Sequence, residues 1–300
     1  MVDISQISKD PKWDRANTLF AKSNPAADLA LIGIPAHKTS LSATSANLTP
    51  DAIREALARY STFSTSGKID LRKQSFTDLG NIFDPDGDAG EARVADALSG
   101  LLWKHKLIVA LGGDNSVTYS AAAGLFPDLS KVGLITLDAH HDLRDGKSNG
   151  SPVWRLIEAG LPGKNIVQIG ISDFANSAEY SERAKEYGIT VISRAKMRDK
   201  SMKKVIQKAL KIAGAGGREI YVDLDVDVCD RSVAPACPAS VPGGISADEI
   251  REATRLLASD KRVRAIDITE IDAALDAPDQ RTIRLAALLV LEAAAGLASR

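Results

Sequence analysis

Short apolar runs suited to buried strands recur along the chain, and amphipathic stretches separate most of them: DLALIG (28–33), KLIVALG (106–112), KVGLITLD (131–138), NIVQIG (165–170), ITVI (189–192), EIYVDLDVD (219–227) and RVRAIDI (262–268). Strands of this kind alternating with helices predict a parallel sheet with helices packed on both of its faces. Helix signals support the pattern. Thr49 and Pro50 are expected to cap and open the helix of IREALARY, and Ser246 with Glu249 forms a capping box ahead of IREATRLLAS. The stretch TIRLAALLVLEAAAGLA is apolar almost all round and should be buried. DPDGDAGE (84–91) reads as a surface loop, and no repeat or low-complexity linker divides the chain, so residues 1–300 are expected to form a single domain.

Charge narrows the partners. A formal net charge of -1 with no long Lys/Arg run gives no electrostatic basis for binding nucleic acid or an anionic membrane. The first twenty residues hold no apolar leader segment, and no stretch approaches the roughly 18 apolar residues of a membrane span. A cytoplasmic protein acting on a small molecule is the expectation. Cys229 and Cys237 are too few for a disulfide framework and are expected to be small buried side chains.

The segment YVDLDVDVCD (221–230) poses an electrostatic problem. As a strand, its period of two would set Asp223, Asp225 and Asp227 on one face about 7 Å apart. Buried carboxylates in a row must take up protons or face a cation. Ligands of parallel sheets bind beyond the carboxyl ends of the strands, and the polar residues gather there. GGDNSVT (112–118) follows IVAL, DAHHDLRD (138–145) follows LITL, and DITEID (267–272) puts Glu270 near a further strand tip. In DAHHD, Asp138, His140 and Asp142 alternate and are expected to converge on one side. With Asp225 and Asp227 they form a carboxylate-rich set with one imidazole. Such a set is too hard for structural zinc and suits Mn²⁺ or a related divalent ion, two of which can share carboxylates at about 3.5 to 4 Å.

Taken in this order, GGDNSVT, DAHHD and DVDVCDRSVAP resemble the signature segments of the ureohydrolase family, which includes arginases, agmatinases, guanidinobutyrases and formimidoylglutamases. The likeness extends from GIPAHKTS (33–40) through TPDAIREAL to TIRLAALLVLE. It implies an arginase-like three-layer α/β/α sandwich with a mostly parallel central sheet of about eight strands. It also implies two manganese ions, with Asn115, Asp138, His140, Asp142, Asp225 and Asp227 as metal-binding positions. Asn115 stands where the family carries a ligand histidine. An amide oxygen is the poorer ligand, so that metal is expected to bind more weakly; Asn115 serves equally well as N-cap of the helix beginning SVTYSAAA. Asp223, where relatives usually carry a small hydroxyl residue, is expected to offset the loss by adding charge on the metal side. Asn149, in SNGSP, replaces the histidine that shuttles protons in arginases and agmatinases. That departure, Arg144 soon after DAHHD, and GISDFANSAEY (170–180) resemble the formimidoylglutamase branch.

The resemblance thus implies hydrolysis of N-formimidoyl-L-glutamate to glutamate and formamide, a step in histidine breakdown. Agmatine or guanidinobutyrate hydrolysis with release of urea, and a catalytically silent binding role, are the competing readings; the retained ligand set argues against the last. In the implied chemistry, metal-activated water attacks the amidine carbon and Asp142 passes the proton to the departing amine. Glu270 accepts paired N–H bonds from the planar cation, and Arg144 forks onto a substrate carboxylate. Asn149, Ser151 and Asn176 are further candidates for substrate contacts. The family commonly forms homo-oligomers, trimers or hexamers.

Overall fold

The computed structural model describes residues 10–21 and 23–300; the first nine residues, part of the stretch read as lacking a leader, lie outside them. An eight-stranded sheet runs through the centre, made of β1 (Leu29–Ile34), β2 (Phe76–Asn81), β3 (Leu107–Gly112), β4 (Val132–Leu137), β5 (Ile166–Ile169), β6 (Thr190–Ile192), β7 (Glu219–Asp225) and β8 (Val263–Thr269). Every pairing in it is parallel, in the order β2-β1-β3-β8-β7-β4-β5-β6.

The main helices are α1 (Thr49–Leu57), α2 (Gly87–Leu98), α3 (Ser116–Leu125), α4 (Pro152–Glu158), α5 (Ala178–Glu186), α6 (Met202–Ala213), α7 (Ala247–Ser259) and α8 (Arg281–Leu297). Alternate strand residues face opposite layers. Leu29 and Leu31 pack with Ile53 of α1, Ala209 of α6, Leu257 of α7 and Leu289 of α8, while Ala30 and Ile32 pack with Val94 of α2, Ala121 of α3, Val153 of α4 and Ala184 of α5. The three-layer α/β/α sandwich follows directly. Helix α8 is buried along most of its length, and the Ser246–Glu249 box caps α7 as expected. Both cysteines are buried free thiols. Among the described residues no helix is long and apolar enough to cross a membrane.

Local expectations needed correction at several points. Strand β2 was not anticipated; it lies at the sheet edge and ends in exposed Leu79, Gly80 and Asn81, so it carries no continuous apolar run. DPDGDAGE is not a loop throughout, because α2 begins at Gly87. Thr49 does not cap α1: it is the first helical residue, and its hydroxyl donates to the carbonyl of Ile271 at 2.5 Å.

Topology places the site. Strands β3, β8, β7 and β4 are consecutive neighbours in the middle of the sheet, with Ile268 beside Leu111, Thr269 beside Asp225, and Leu137 beside Leu224. Their carboxyl ends therefore bring GGDN, DITEID, DLDVD and DAHHD side by side, although these segments lie far apart in the chain.

Candidate metal centre and cleft

The carboxylates do not converge by strand alternation. Strand β7 ends at Asp225, whose Oδ1 accepts the N–H of Asp227 at 2.8 Å and tightens Val226–Val228 into a single 3₁₀ turn. The expected strand to Asp227 is thereby cut short, and the row of parallel like charges is broken. At the end of β4 the same device recurs: Asp138 Oδ1 accepts the N–H of His140 at 2.6 Å. Asp142 then adopts φ 53°, a left-handed conformation that an aspartate tolerates better than most residues. Asp227 reaches across to this loop, accepting from the N–H of Ala139 at 2.9 Å and lying 2.6 Å from Nδ1 of His140.

The outcome is two overlapping donor groups, Asp138–His140–Asp227 and Asp138–Asp142–Asp225, each with one potential ligand atom per residue and all such atoms within 4.8 Å of one another. Asp138 belongs to both. Burial and the neighbouring carboxylates push Asp138 and Asp225 well above the usual carboxylate range, and burial also raises Asp142. Burial disfavours a charged His140, yet Asp227 and Asp138 outweigh it and lift the imidazole to about 12. The cluster is thus short of positive charge, and Asp138 Oδ2 is buried with no hydrogen-bond partner among the described residues. Hard oxygen donors with one imidazole and an orphaned buried carboxylate oxygen fit a pair of divalent cations such as Mn²⁺.

Asn115 sits beside this cluster with its amide nitrogen forward. Nδ2 donates to Asp142 Oδ2 at 2.6 Å, whereas Oδ1 accepts from the hydroxyls of Thr118 and Thr269, both at 2.9 Å. It precedes α3 but makes no side-chain cap; Asp114 Oδ1 accepts the N–H of Ser116 instead. The amide oxygen expected to ligate metal is therefore turned away from the donor groups. Asp223 belongs to neither group: it lies beside Asp267 on the adjacent strand, and burial with that neighbour pushes its carboxyl well up, toward the uncharged form. Asp267 Oδ2 accepts the hydroxyl of Tyr221 at 2.6 Å and lies 2.9 Å from the hydroxyl of Thr118, whose single proton is shared with Asn115 Oδ1. Sequence reading missed these hydroxyl partners, though Thr118 is visible within GGDNSVT.

A cavity of about 400 Å³ opens over the cluster, lined by His140, Asp142, Asp225, Asp227, Arg144, Asn149, Asn176 and Glu270. Glu270 is buried at φ 61°, and its Oε1 accepts from Asn115 N–H and Asn149 Nδ2, both at 2.7 Å. Burial and Asp114 raise its carboxyl to about 8. Arg144 is exposed and its guanidinium makes no bond to any described residue; the neighbouring Asp145 pairs with Arg183 at 2.8 Å. Asn176 clamps the loop, accepting from His141 N–H at 2.8 Å and donating to Ala139 O at 2.9 Å. Ser151 is buried outside the cavity wall, with its hydroxyl donating to Ser148 O at 2.9 Å. His141 lines the cavity with Nδ1 2.6 Å from Gln168 Oε1. Leu41 and Ser42, from the segment after β1, complete one wall; nothing in their residue types marks them.

Comparison with known proteins agrees with this architecture. The sequence model of the arginase family matches residues 27–296. The chain is 34% identical over 273 residues to a formimidoylglutamase of Halalkalibacterium halodurans, covering 87% of this chain and 84% of that relative. The crystal structure of formimidoylglutamase from Bacillus subtilis superposes with a TM-score of 0.91 at 31% identity, covering 99% of this chain and 96% of that one. A structure of Trypanosoma cruzi formiminoglutamase with Mn²⁺ shares the fold, with a TM-score of 0.87 at 23% identity over 96% of this chain and 100% of that one.

Proposed function

Since the chain belongs to the arginase family, we propose that it is a manganese-dependent hydrolase that cleaves N-formimidoyl-L-glutamate to L-glutamate and formamide. The observation that carries the proposal is the pair of donor groups sharing Asp138 at the floor of a cavity that also presents Glu270 and Arg144. The names of similar proteins support the same substrate.

Asp138, His140 and Asp227 would hold one ion, and Asp138, Asp142 and Asp225 the other. When bound, the two ions supply the positive charge that makes water a competent nucleophile near neutral pH. Asn115 enters as the donor that orients Asp142 rather than as a ligand. Asp142 takes the proton of the attacking water and delivers it to the glutamate nitrogen as the amidine C–N bond breaks. Glu270 already commits Oε1 to Asn115 and Asn149, which leaves Oε2 for the N–H groups of the amidinium. Arg144, whose guanidinium makes no bond among the described residues, takes a carboxylate of the glutamyl tail. Neither Ser151, committed to its own turn, nor Asn176, committed to the loop, is assigned a substrate contact. The proposal includes a cytoplasmic location and a homo-oligomer, trimer or hexamer; light scattering of the purified protein tests the assembly.

The deciding experiment incubates manganese-loaded protein with formimidoylglutamate, agmatine, 4-guanidinobutyrate and arginine and identifies the products. Formamide and glutamate from the first, with negligible urea from the others, is the expected result. Urea release from agmatine at a comparable rate would replace this substrate with a guanidine.

A further inference from the structure

Asn149 stands where three chain segments meet. Its backbone N–H donates to Thr39 O at 3.3 Å, its Oδ1 accepts the N–H of Leu41 at 3.0 Å, and its Nδ2 donates to Glu270 Oε1 at 2.7 Å. The remaining Nδ2 proton points to Ser40 Oγ at 3.5 Å. The amide has only one orientation that satisfies its neighbours. A peptide N–H can only donate and so requires the oxygen, while Glu270 Oε1, which also accepts the N–H of Asn115, requires the nitrogen. Both demands agree. Aspartate would set one carboxylate against another, and a residue without a side-chain amide could not serve both neighbours from one planar group.

The segment from Thr39 to Ser45 is fastened at its other end as well. Asp272 Oδ2 accepts the N–H of Ser45 at 2.8 Å and the hydroxyl of Thr44 at 3.2 Å. Asp272 lies two residues beyond Glu270 in the chain. The segment therefore forms a strap along the cavity wall, tied to the tip of β8 directly at Asp272 and through Asn149 at Glu270. Leu41, at the first tie, and Ser42, between the two, line the cavity.

We infer that Asn149 is a positioning residue: it fixes the carboxylate of Glu270 toward the cavity and in the same act locks the 39–45 strap in place, rather than contacting substrate. Every polar atom of its side chain is already engaged, so a direct substrate contact would have to break one of these bonds. The inference deepens the proposed function and rests on it only in taking Glu270 as the group that receives the substrate cation.

The test is a double-mutant cycle read alongside amide hydrogen exchange. Parent, Asn149→Ala, Glu270→Gln and the double variant are compared for kcat/KM on formimidoylglutamate, with manganese content measured in each. Exchange is followed at the amides of residues 39–45. Asn149→Ala should lower kcat/KM by about 10- to 100-fold, the range for loss of a charge-assisted hydrogen bond, and add little to the loss already caused by Glu270→Gln. Manganese content should not change, and the Leu41 amide should exchange at least about tenfold faster once its acceptor is gone. Asn149→Asp separates the two ties: it keeps an acceptor for Leu41 N–H, so that amide stays protected, while kcat/KM still falls. Independent, multiplying losses in the cycle would make Asn149 a substrate contact, and unchanged Leu41 exchange in Asn149→Ala would remove the strap from its role. Failure to turn over formimidoylglutamate would overturn the proposed function alone, since the exchange measurement needs no substrate.

Discussion

Asn115 holds Asp142 from behind, its amide nitrogen 2.6 Å from Asp142 Oδ2 and its oxygen fixed by the hydroxyls of Thr118 and Thr269. A residue with a lone pair in that place would bind metal; one that presents an N–H only orients the ligand next to it. Asn115→His is therefore expected to add a nitrogen donor beside Asp142 and tighten one of the two manganese sites while leaving the other nearly unchanged. Calorimetric titration of the metal-stripped proteins should resolve this. Superimposable titrations of variant and parent would mean that the imidazole does not reach the ion.

Removing metal should cost stability as well as activity, because the ions are expected to relieve repulsion among Asp138, Asp142, Asp225 and Asp227, all buried together. Chelation should lower the melting temperature, and manganese at 100 times its dissociation constant should restore about 2.7 kcal/mol for each site filled. Asp225→Ala should lose at least one of two equivalents of manganese by elemental analysis and nearly all turnover. Full activity in that variant would end the metal assignment.

Arg144 carries the substrate selectivity in this reading. Arg144→Ala should reduce kcat/KM for formimidoylglutamate by roughly tenfold, a modest figure because the side chain is exposed and its charge partly screened. Metal content should be unaffected. If agmatine, whose tail is cationic, loses as much as the dicarboxylate, Arg144 is not reading a carboxylate.

Tyr221 is fully buried and donates to Asp267 at 2.6 Å, while Asp267 Oδ1 already has no partner among the described residues. Tyr221→Phe conserves shape and removes one bond from a buried carboxylate. Urea unfolding of the metal-loaded protein should show a loss of about 1 to 3 kcal/mol. A change within the error of the measurement would show that Thr118 alone satisfies Asp267.

Much of this was legible in the residues. The continuous apolar runs at Leu107–Gly112 and Val132–Leu137 announced interior strands, and DAHHD with DVD announced a carboxylate-rich centre. Strand β2 was hidden because an edge strand needs to bury only part of itself, and Leu79 to Asn81 remain exposed. The turn at Asp227 was hidden for a different reason. Aspartate and valine in alternation satisfy a strand and an aspartate-capped turn equally, and only Asp225 accepting the Asp227 N–H decides between them. The role of Asn115 was out of reach because it depends on Thr269, a residue 154 positions away that strand order alone brings near.

That strand order also dictates a timetable. Strand β8 lies between β3 and β7, yet it is the last strand of the sheet to be synthesised. Until it inserts, β3 and β7 have no neighbour in common, and the GGDN segment is separated from the aspartates by a strand's width. Glu270 arrives only with β8, and the strap from Thr39 to Ser45 gains its anchor at Asp272 at the same moment. Because such distant pairings are slow to form, a chain still lacking β8 has its metal donors, which β4 and β7 bring together as direct neighbours, but neither Glu270 nor the Asp272 anchor of the strap, so the cleft is the last part of the site to be built.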